Sequence, residues 1–170
     1  MARILITGAG GYIGTTLVKM ALKAGHHVIA LDRYFFGENL MQDFLGNGNF
    51  SIVKSDIRDV TETELEGIDV VMDLAALSND PAGRLNPDLT KAINHRGRVH
   101  VAEAAKAAGV PRYILASSCS IYGEGDSIAL TEESPANPLT EYAQSTYAAE
   151  CAALKLGDDK FCVSALRNAT

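Results

Sequence analysis

The stretch RILITGAGGYIG (residues 3–14) decides the fold of this chain. It opens with a short apolar run typical of a β-strand, continues with glycines spaced three residues apart, and ends where a helical pattern begins. Glycine permits a tight turn, a close approach of backbone N–H groups to a pyrophosphate, and close packing of helix on strand. The helix N-terminus adds a partial positive charge. A strand–turn–helix unit that binds a pyrophosphate is therefore predicted. Its predicted contacts are Gly8, Gly11, Tyr12, Ile13 and Gly14.

An acidic residue follows the second apolar run. Asp32 comes directly after HVIAL (27–31), eighteen residues after Gly14. A carboxylate at this position can accept hydrogen bonds from both ribose hydroxyls of adenosine, and it repels a 2′-phosphate. The sequence therefore predicts NAD as the cofactor, with Asp32 and its neighbour Arg33 at the ribose. Arg33 weakens the preference over NADP, since an arginine can bind a 2′-phosphate.

Six apolar runs and three helical patterns alternate along the chain. The runs are apolar on both alternations, as in strands that are buried on both faces of a parallel sheet. The predicted strands are 3–7, 27–31, 50–54, 69–76, 112–118 and 161–166, and the predicted helices are about 12–24, 89–108 and 140–156. Strand–helix alternation predicts an α/β fold, a Rossmann-type doubly wound parallel sheet with helices on both faces, formed by one domain over residues 1–170.

Composition excludes several classes of function. The net charge is −6, which argues against a nucleic-acid surface. No apolar run approaches the roughly 20 residues that span a bilayer. The N-terminus has no signal-peptide pattern, so we expect no membrane partner and a cytoplasmic location. The three cysteines and four histidines lack ligand spacing, and no metal site is predicted.

Further motifs occur in a definite order after the glycine loop. They are SDIRD (55–59), DLAALS (73–78), NHRG (94–97), SSCSIYG (117–123) and PLTEYAQSTYAAE (138–150). With these motifs the whole chain resembles the extended short-chain dehydrogenase/reductase family, specifically its NAD-dependent nucleotide-sugar epimerases and dehydratases. The resemblance implies further cofactor contacts. Asp56 and Ile57 would lie beside the adenine, Leu74, Ala75, Ala76 and Ser78 on the nicotinamide side, and Asn94 and Ser117 would complete the site.

The resemblance also implies catalytic roles. Ser118 would hydrogen-bond the reacting hydroxyl of the sugar, and Tyr142, beside the cofactor, would take its proton. A hydroxyl at the carboxyl end of a parallel strand does lie in the crevice where such sheets bind ligands, and a phenol can act as a base. Dehydratases of the family carry Asp and Glu after the active-site hydroxyl. Cys119 and Ser120 occupy these positions here, which disfavours dehydration.

The third catalytic position departs from the family. Thr146 occupies the place of a lysine whose ammonium lowers the pKa of the family's tyrosine and contacts the nicotinamide ribose. Lowering a tyrosine from pKa ~10 to about 7 corresponds to roughly 4 kcal/mol. Because threonine carries no charge, we expect NAD binding to survive and catalysis to be greatly slowed.

The sequence thus favours an NAD-dependent nucleotide-sugar epimerase, similar to UDP-glucose 4-epimerases, acting on a UDP- or dTDP-hexose. Two alternatives stay open: a catalytically silent NAD-binding module that senses cofactor or scaffolds a partner, and a nucleotide-sugar dehydrogenase or dehydratase. In the family a sugar-binding region follows SALRNAT (164–170), and it is absent from these residues. The resemblance further implies a homodimer through helices 89–108 and 140–156, with Ala148, Ala149, Ala152 and Ala153 allowing close approach.

Overall fold

A computed structural model describes residues 1–78, 80–124 and 129–169. Its single six-stranded sheet is parallel throughout, with the order β3-β2-β1-β4-β5-β6. The strands are β1 (Arg3–Thr7), β2 (His27–Asp32), β3 (Phe50–Lys54), β4 (Val70–Asp73), β5 (Arg112–Ser118) and β6 (Cys162–Asn168). The order reverses between β1 and β4, so the sheet is doubly wound as predicted. The predicted strand 69–76 is too long, because the chain leaves the sheet after Asp73.

Helices connect the strands. They are α1 (Tyr12–Lys23), α2 (Glu62–Leu65), α3 (Asp80–Leu85), α4 (Pro87–Lys91), α5 (Arg98–Ala107) and α6 (Glu141–Lys155). Single 3₁₀ segments cover Asn39–Phe44 and Cys119–Tyr122. The helices predicted at 12–24 and 140–156 are present within one residue at each end. The short elements α2 and α3 and both 3₁₀ segments were not predicted.

The helix predicted as continuous over 89–108 is interrupted. It begins earlier, at Pro87, where the Asn86 side chain accepts a hydrogen bond from Leu89 N at 3.0 Å. Residues Ala92–Gly97 then form a π-helical segment before α5. Such wide turns occur frequently at functional sites. At Gly97 an added Cβ would lie 3.0 Å from Ile57 Cδ1, so glycine allows this segment to lie close to the chain after β3.

The core divides into two clusters, one on each face of the sheet. Side chains of β1 and β2 alternate between the two faces, as the strand period of two requires. The cluster beneath α1 includes Ile4, Ile6, Val18, Val28, Ala30 and Met41. The cluster beneath α5 and α6 includes Leu5, Leu31, Val71, Val101, Leu115, Ala153 and Phe161. This packing fixes the carboxyl ends of β1, β2, β4 and β5 along one edge of the sheet, and Gly8, Asp32 and Ser118 lie at that edge.

Candidate cofactor and active site

The glycine turn after β1 is shaped for close approach. Gly8 has a φ of +66°, and a Cβ added there would lie 2.8 Å from Ala75 N. A Cβ added at Gly14 would collide with the carbonyl oxygen of Gly8 and with the backbone of Ala9. Glycine is therefore required at both positions, at the first for conformation and at both for space.

The N-terminus of α1 fits a phosphate. No side chain caps it, and its first turn contains no acidic residue. The first N–H groups of a helix have no intrahelical acceptor, so those of Tyr12, Ile13 and Gly14 are oriented to bind an anion. The side chains of Tyr12 and Ile13 are exposed beside this position. The arrangement thus suits the pyrophosphate of a dinucleotide.

The substitution Gly14→Ala should destabilise the turn. We expect the free energy of unfolding to fall by about 1–3 kcal/mol, because the added methyl group meets backbone that cannot move aside. Denaturant unfolding measures this change. Gly48→Ala is the matched control, since a Cβ at Gly48 meets nothing within 4 Å. Equal stability of the two variants would contradict the close packing of the turn.

Asp32 is held rigidly at the end of β2. Its Oδ2 accepts a hydrogen bond from Gly10 N at 3.0 Å, and its Oδ1 accepts one from Tyr34 N at 2.7 Å. The buried Tyr34 phenol donates to Ala30 O at 2.9 Å, and burial, then the Asp32 charge, raise its pKa above the usual range. Each carboxylate oxygen retains lone pairs beyond its backbone contact. The carboxylate can therefore still accept from ribose hydroxyls.

Two arginines converge on Asp56. Arg58 donates to both carboxylate oxygens, from Nε to Oδ1 at 2.9 Å and from Nη2 to Oδ2 at 2.7 Å. Arg33 Nη1 lies 3.1 Å from Oδ2, and its guanidinium carbon lies 4.3 Å from the centre of the Phe35 ring. Next along the chain, Ile57 is buried in the core. The sequence analysis did not predict that Arg33 is paired with Asp56.

The loop after β4 is fixed by Thr7 at the end of β1. Its Oγ1 accepts hydrogen bonds from Leu74 N at 3.1 Å and from Ala75 N at 3.2 Å. Asn94 holds the next part, accepting from Leu77 N at 2.8 Å and donating to Leu77 O at 3.0 Å. Both polar groups of the Asn94 side chain bind this loop. Asn94 would therefore contribute to the cofactor site by positioning the loop. Ala76 is half-buried and Ser78 is exposed.

A buried polar network lies beneath this loop. Asp73 accepts from Thr7 Oγ1 at 2.5 Å, from Tyr113 OH at 2.5 Å and from Arg98 Nε at 3.1 Å. Arg98 also donates to Asp73 O at 2.9 Å and to Ala116 O at 2.7 Å. Burial, then the Asp73 charge, raise the pKa of the Tyr113 phenol well above its usual range, so it remains a donor. The network ties the ends of β1, β4 and β5 together and so positions the loop.

The sequence analysis missed this network, although two signals were present. Asp73 ends an otherwise apolar strand, and Arg98 lies four residues after Asn94. Residues four apart on a helix share a face. This spacing places Arg98 near Asn94, but it does not identify Asp73, 25 residues away, as the partner of Arg98.

A second network engages Ser117. Its hydroxyl donates to Glu150 Oε2 at 2.5 Å, and Arg167 Nη2 donates to Glu150 Oε1 at 2.6 Å. Arg167 Nη1 further donates to Tyr122 OH at 2.7 Å. Ser117 and Glu150 are both buried. Because its hydroxyl proton is donated to Glu150, the Ser117 side chain could meet a cofactor only as a hydrogen-bond acceptor.

The predicted catalytic residues lie on two neighbouring elements. Ser118 ends β5, and its Oγ accepts a hydrogen bond from Ser120 N at 3.2 Å. The half-buried Tyr142 lies in the first turn of α6, which packs against β5. Thr146 lies one turn further, fully buried, and its hydroxyl has no hydrogen-bond partner among the described residues.

The described residues, 1–78, 80–124 and 129–169, contain neither a candidate membrane span nor a candidate metal cluster. Within these ranges no helix is long and apolar enough to cross a membrane. No group of three or more His, Cys, Asp or Glu side chains there could hold a metal ion.

Comparison with known proteins identifies the family. A model of the NAD dependent epimerase/dehydratase family matches residues 4–170. The chain belongs to the NAD-dependent epimerase/dehydratase family. The family predicted from the sequence is thus confirmed. NAD, the cofactor predicted from the glycine turn and Asp32, is also confirmed, because the family is NAD-dependent.

Several members of the NAD-dependent epimerase/dehydratase family are similar to this chain. It is 37% identical to UDP-glucose 4-epimerase of Mycolicibacterium smegmatis over 154 residues, which are 87% of this chain and 49% of the relative. It is 29% identical to UDP-glucuronic acid decarboxylase 1 of Xenopus tropicalis over 154 residues, 87% of this chain and 36% of the relative. The solved structure of MoeE5 in complex with UDP-glucose and NAD has a TM-score of 0.85 and 31% identity, and the match covers 97% of this chain and 53% of that one. The chain thus spans about half the length, or less, of these relatives.

Proposed function

We propose that the chain is the NAD-binding part of a nucleotide-sugar epimerase that transiently oxidises a ring hydroxyl of a UDP- or dTDP-hexose. The observation that carries this choice is the neutral pair after Ser118. Cys119 and Ser120 supply no carboxylic acid that could protonate a leaving hydroxyl, as dehydration requires. The similarity to a UDP-glucose 4-epimerase supports the same choice.

The strand ends offer a place for each part of the cofactor. The helix N-terminus after Gly11 would bind the pyrophosphate, and Asp32 would accept from the adenosine ribose. Asp56 and Ile57 would lie at the adenine, while the loop held by Thr7 and Asn94 would line the nicotinamide side. When bound, NAD supplies the acceptor for a hydride from the sugar carbon.

Tyr142 and Ser118 would carry the proton chemistry. The Tyr142 phenolate takes the proton of the reacting hydroxyl as the C–H bond breaks and the C=O bond forms, and Ser118 hydrogen-bonds that oxygen. Tyr142 would return the proton to that oxygen when the ring carbon regains hydrogen on its opposite face, and the product would be the epimer. Because Thr146 provides no charge near Tyr142, the phenolate is poorly stabilised and turnover is slow.

Thr146 also favours a second candidate, a catalytically silent module that binds NAD as a sensor or scaffold. Retention of both Ser118 and Tyr142 opposes it, since a silent module needs neither. A dehydrogenase or dehydratase is a third candidate, and the similarity to a decarboxylase illustrates how widely reactions differ among relatives.

Turnover assays distinguish these candidates. The full-length natural protein and its Thr146→Lys variant are each incubated with UDP-glucose or dTDP-glucose. The products are analysed by NMR. We expect the 4-epimer, formed faster by the variant. A dehydrated 4-keto sugar would favour the dehydratase, and bound NAD without any product from either protein would favour the silent module.

We further propose a homodimer through α5 and α6 and a cytoplasmic location. Ala149 and Ala153 are buried in the protein's own core, so these two cannot serve a partner helix as predicted. Ala148 and Ala152 are half-buried and remain candidates for close approach. Small residues at such positions allow two helices to approach closely and bury a shared stripe.

The substitution Ala152→Arg should therefore dissociate the dimer. We expect light scattering to give twice the monomer mass for the unaltered protein and the monomer mass for the variant, because a buried charge would be inserted between the helices. Thr16→Arg, an exposed position on the opposite helix α1, is the control and should remain dimeric. A monomer mass for the unaltered protein would count against the interface.

A further inference from the structure

Four charged side chains form a compact cluster at the ends of β2 and β3. Asp32 and Arg33 follow the apolar part of β2, while Asp56 and Arg58 follow β3. β2 and β3 pair in register, with Asp32 opposite Lys54, so the two pairs lie side by side. Two carboxylates and two guanidiniums give the cluster no net charge. The contacts of each arginine determine whether it is available to an anionic ligand.

Asp56 is the centre of the cluster. Its side chain is only 10% exposed. Its two oxygens accept hydrogen bonds from Arg58 N, Nε and Nη2 at 2.7–2.9 Å, and Arg33 Nη1 forms an ion pair with Oδ2 at 3.1 Å. The side-chain hydrogen bond from Arg58 is the main cause that lowers the pKa of the Asp56 carboxyl to about 2. Asp56 is therefore a fixed negative charge at any physiological pH.

Arg33 is held from two directions. Its Nη1 is paired with Asp56, and its guanidinium stacks on the Phe35 ring, although 45% of the side chain is exposed. A planar guanidinium that is both paired and stacked is ordered in one orientation. To meet a 2′-phosphate, Arg33 would have to leave both partners.

We propose that Asp56 determines cofactor selectivity by sequestering Arg33. With Arg33 committed, a 2′-phosphate would face the Asp32 carboxylate without a compensating cation, so NADP is rejected by two carboxylates and not by Asp32 alone. Neutralising Asp56 releases Arg33 to bind the phosphate. This inference rests on the proposed placement of the adenosine ribose at Asp32, and it assigns Asp56 a role in selectivity beyond its proposed contact with the adenine.

A set of variants tests the coupling. Calorimetry gives the dissociation constants of NAD and NADP for the unaltered chain, Asp56→Asn, Arg33→Ala and the double variant, and the quantity compared is the ratio of the NADP constant to the NAD constant. Asp56→Asn should lower this ratio by about tenfold, the lower range for a hydrogen bond to a charged group. Arg33→Ala alone should leave the ratio nearly unchanged, and in the double variant it should abolish the gain.

Controls separate this inference from the proposed function. Arg58→Ala removes the other arginine of Asp56 and should leave the ratio unchanged, and circular dichroism verifies that each variant is folded. The role of Asp56 would be overturned, with NAD binding intact, if Asp56→Asn leaves the ratio unchanged or if the lowered ratio persists in the double variant. Absence of NAD binding by the unaltered chain would instead overturn the proposed cofactor site, and this inference with it.

Discussion

The substitution Thr146→Lys should raise the rate of nucleotide-sugar turnover by roughly two to three orders of magnitude, the size of a general-base contribution. It should also shift the pH–rate profile to lower pH. In the unaltered protein the rate should rise with pH, because removal of the hydroxyl proton needs a base and no ammonium assists Tyr142. An ammonium one helical turn away stabilises the phenolate, so the active form is populated at lower pH.

The structure favours this outcome. Positions 142 and 146 share a face of α6, and Glu150, one turn further, already accepts hydrogen bonds from Ser117 and Arg167. Because both carboxylate oxygens of Glu150 are already engaged, a lysine ammonium introduced at position 146 need not pair with Glu150. It could instead extend towards the proposed nicotinamide side. Thr146→Met is the matched control, since it adds length without charge and should leave the profile unchanged.

The outcome that would contradict this prediction is specific. An unchanged pH–rate profile in a folded Thr146→Lys variant would indicate that Tyr142 is not the base. The mechanism of the family should then not be carried over to this chain. Stability is measured in parallel, because Thr146 is fully buried and a longer side chain has to find room there.

The substitution Asp32→Ala should weaken NAD binding by at least about a hundredfold, since two hydrogen bonds to a charged group, at about 1.5–3 kcal/mol each, contribute about 3 kcal/mol or more. The loss has a second cause in this structure. Asp32 also fixes Gly10 and Tyr34 through their backbone N–H groups, so the glycine turn loses part of its order.

The variant Asp32→Asn separates the two causes. The asparagine amide has nearly the same volume as the carboxylate, and its oxygen can still accept from one of the two backbone N–H groups, but it carries no charge. We therefore expect NAD affinity to fall by an intermediate amount and NADP affinity to rise relative to it. Calorimetry measures both. Tighter binding of NADP than of NAD by the unaltered chain would contradict the assignment of Asp32 to the adenosine ribose.

Much of the fold follows from local pattern. The bounds of β1, β3 and β5 match their apolar runs. The pattern is clearest in β1, which lies in the middle of the sheet and is buried on both faces over residues 4–7. Helices α1 and α5 are followed closely by Gly25 and Gly109, whose φ values of +82° and +76° favour glycine. Residues that need this conformation are recognisable in a sequence.

What the sequence could not predict depends on distant partners. Arg98 and Tyr113 contact Asp73 across 25 and 40 residues, and Arg33 contacts Asp56 from a different strand. The π-helical segment at Ala92–Gly97 was not predicted either, and its Asn94 contacts Leu77, which lies 17 residues away in the sequence. The glycine turn and Asp32 could be predicted because their chemistry is contained in one βα unit.

The most direct test of the central claim, that these strand ends bring NAD and a sugar hydroxyl together for hydride transfer, is transient NADH absorbance. The full-length protein carrying Thr146→Lys is saturated with NAD and mixed with UDP-glucose in a stopped-flow instrument. We expect a rise in NADH absorbance, followed by its decay as the epimer forms, and a slower rise in the unaltered protein that accelerates with pH. Bound NAD with no NADH signal from either protein, with UDP-glucose or dTDP-glucose, would contradict it.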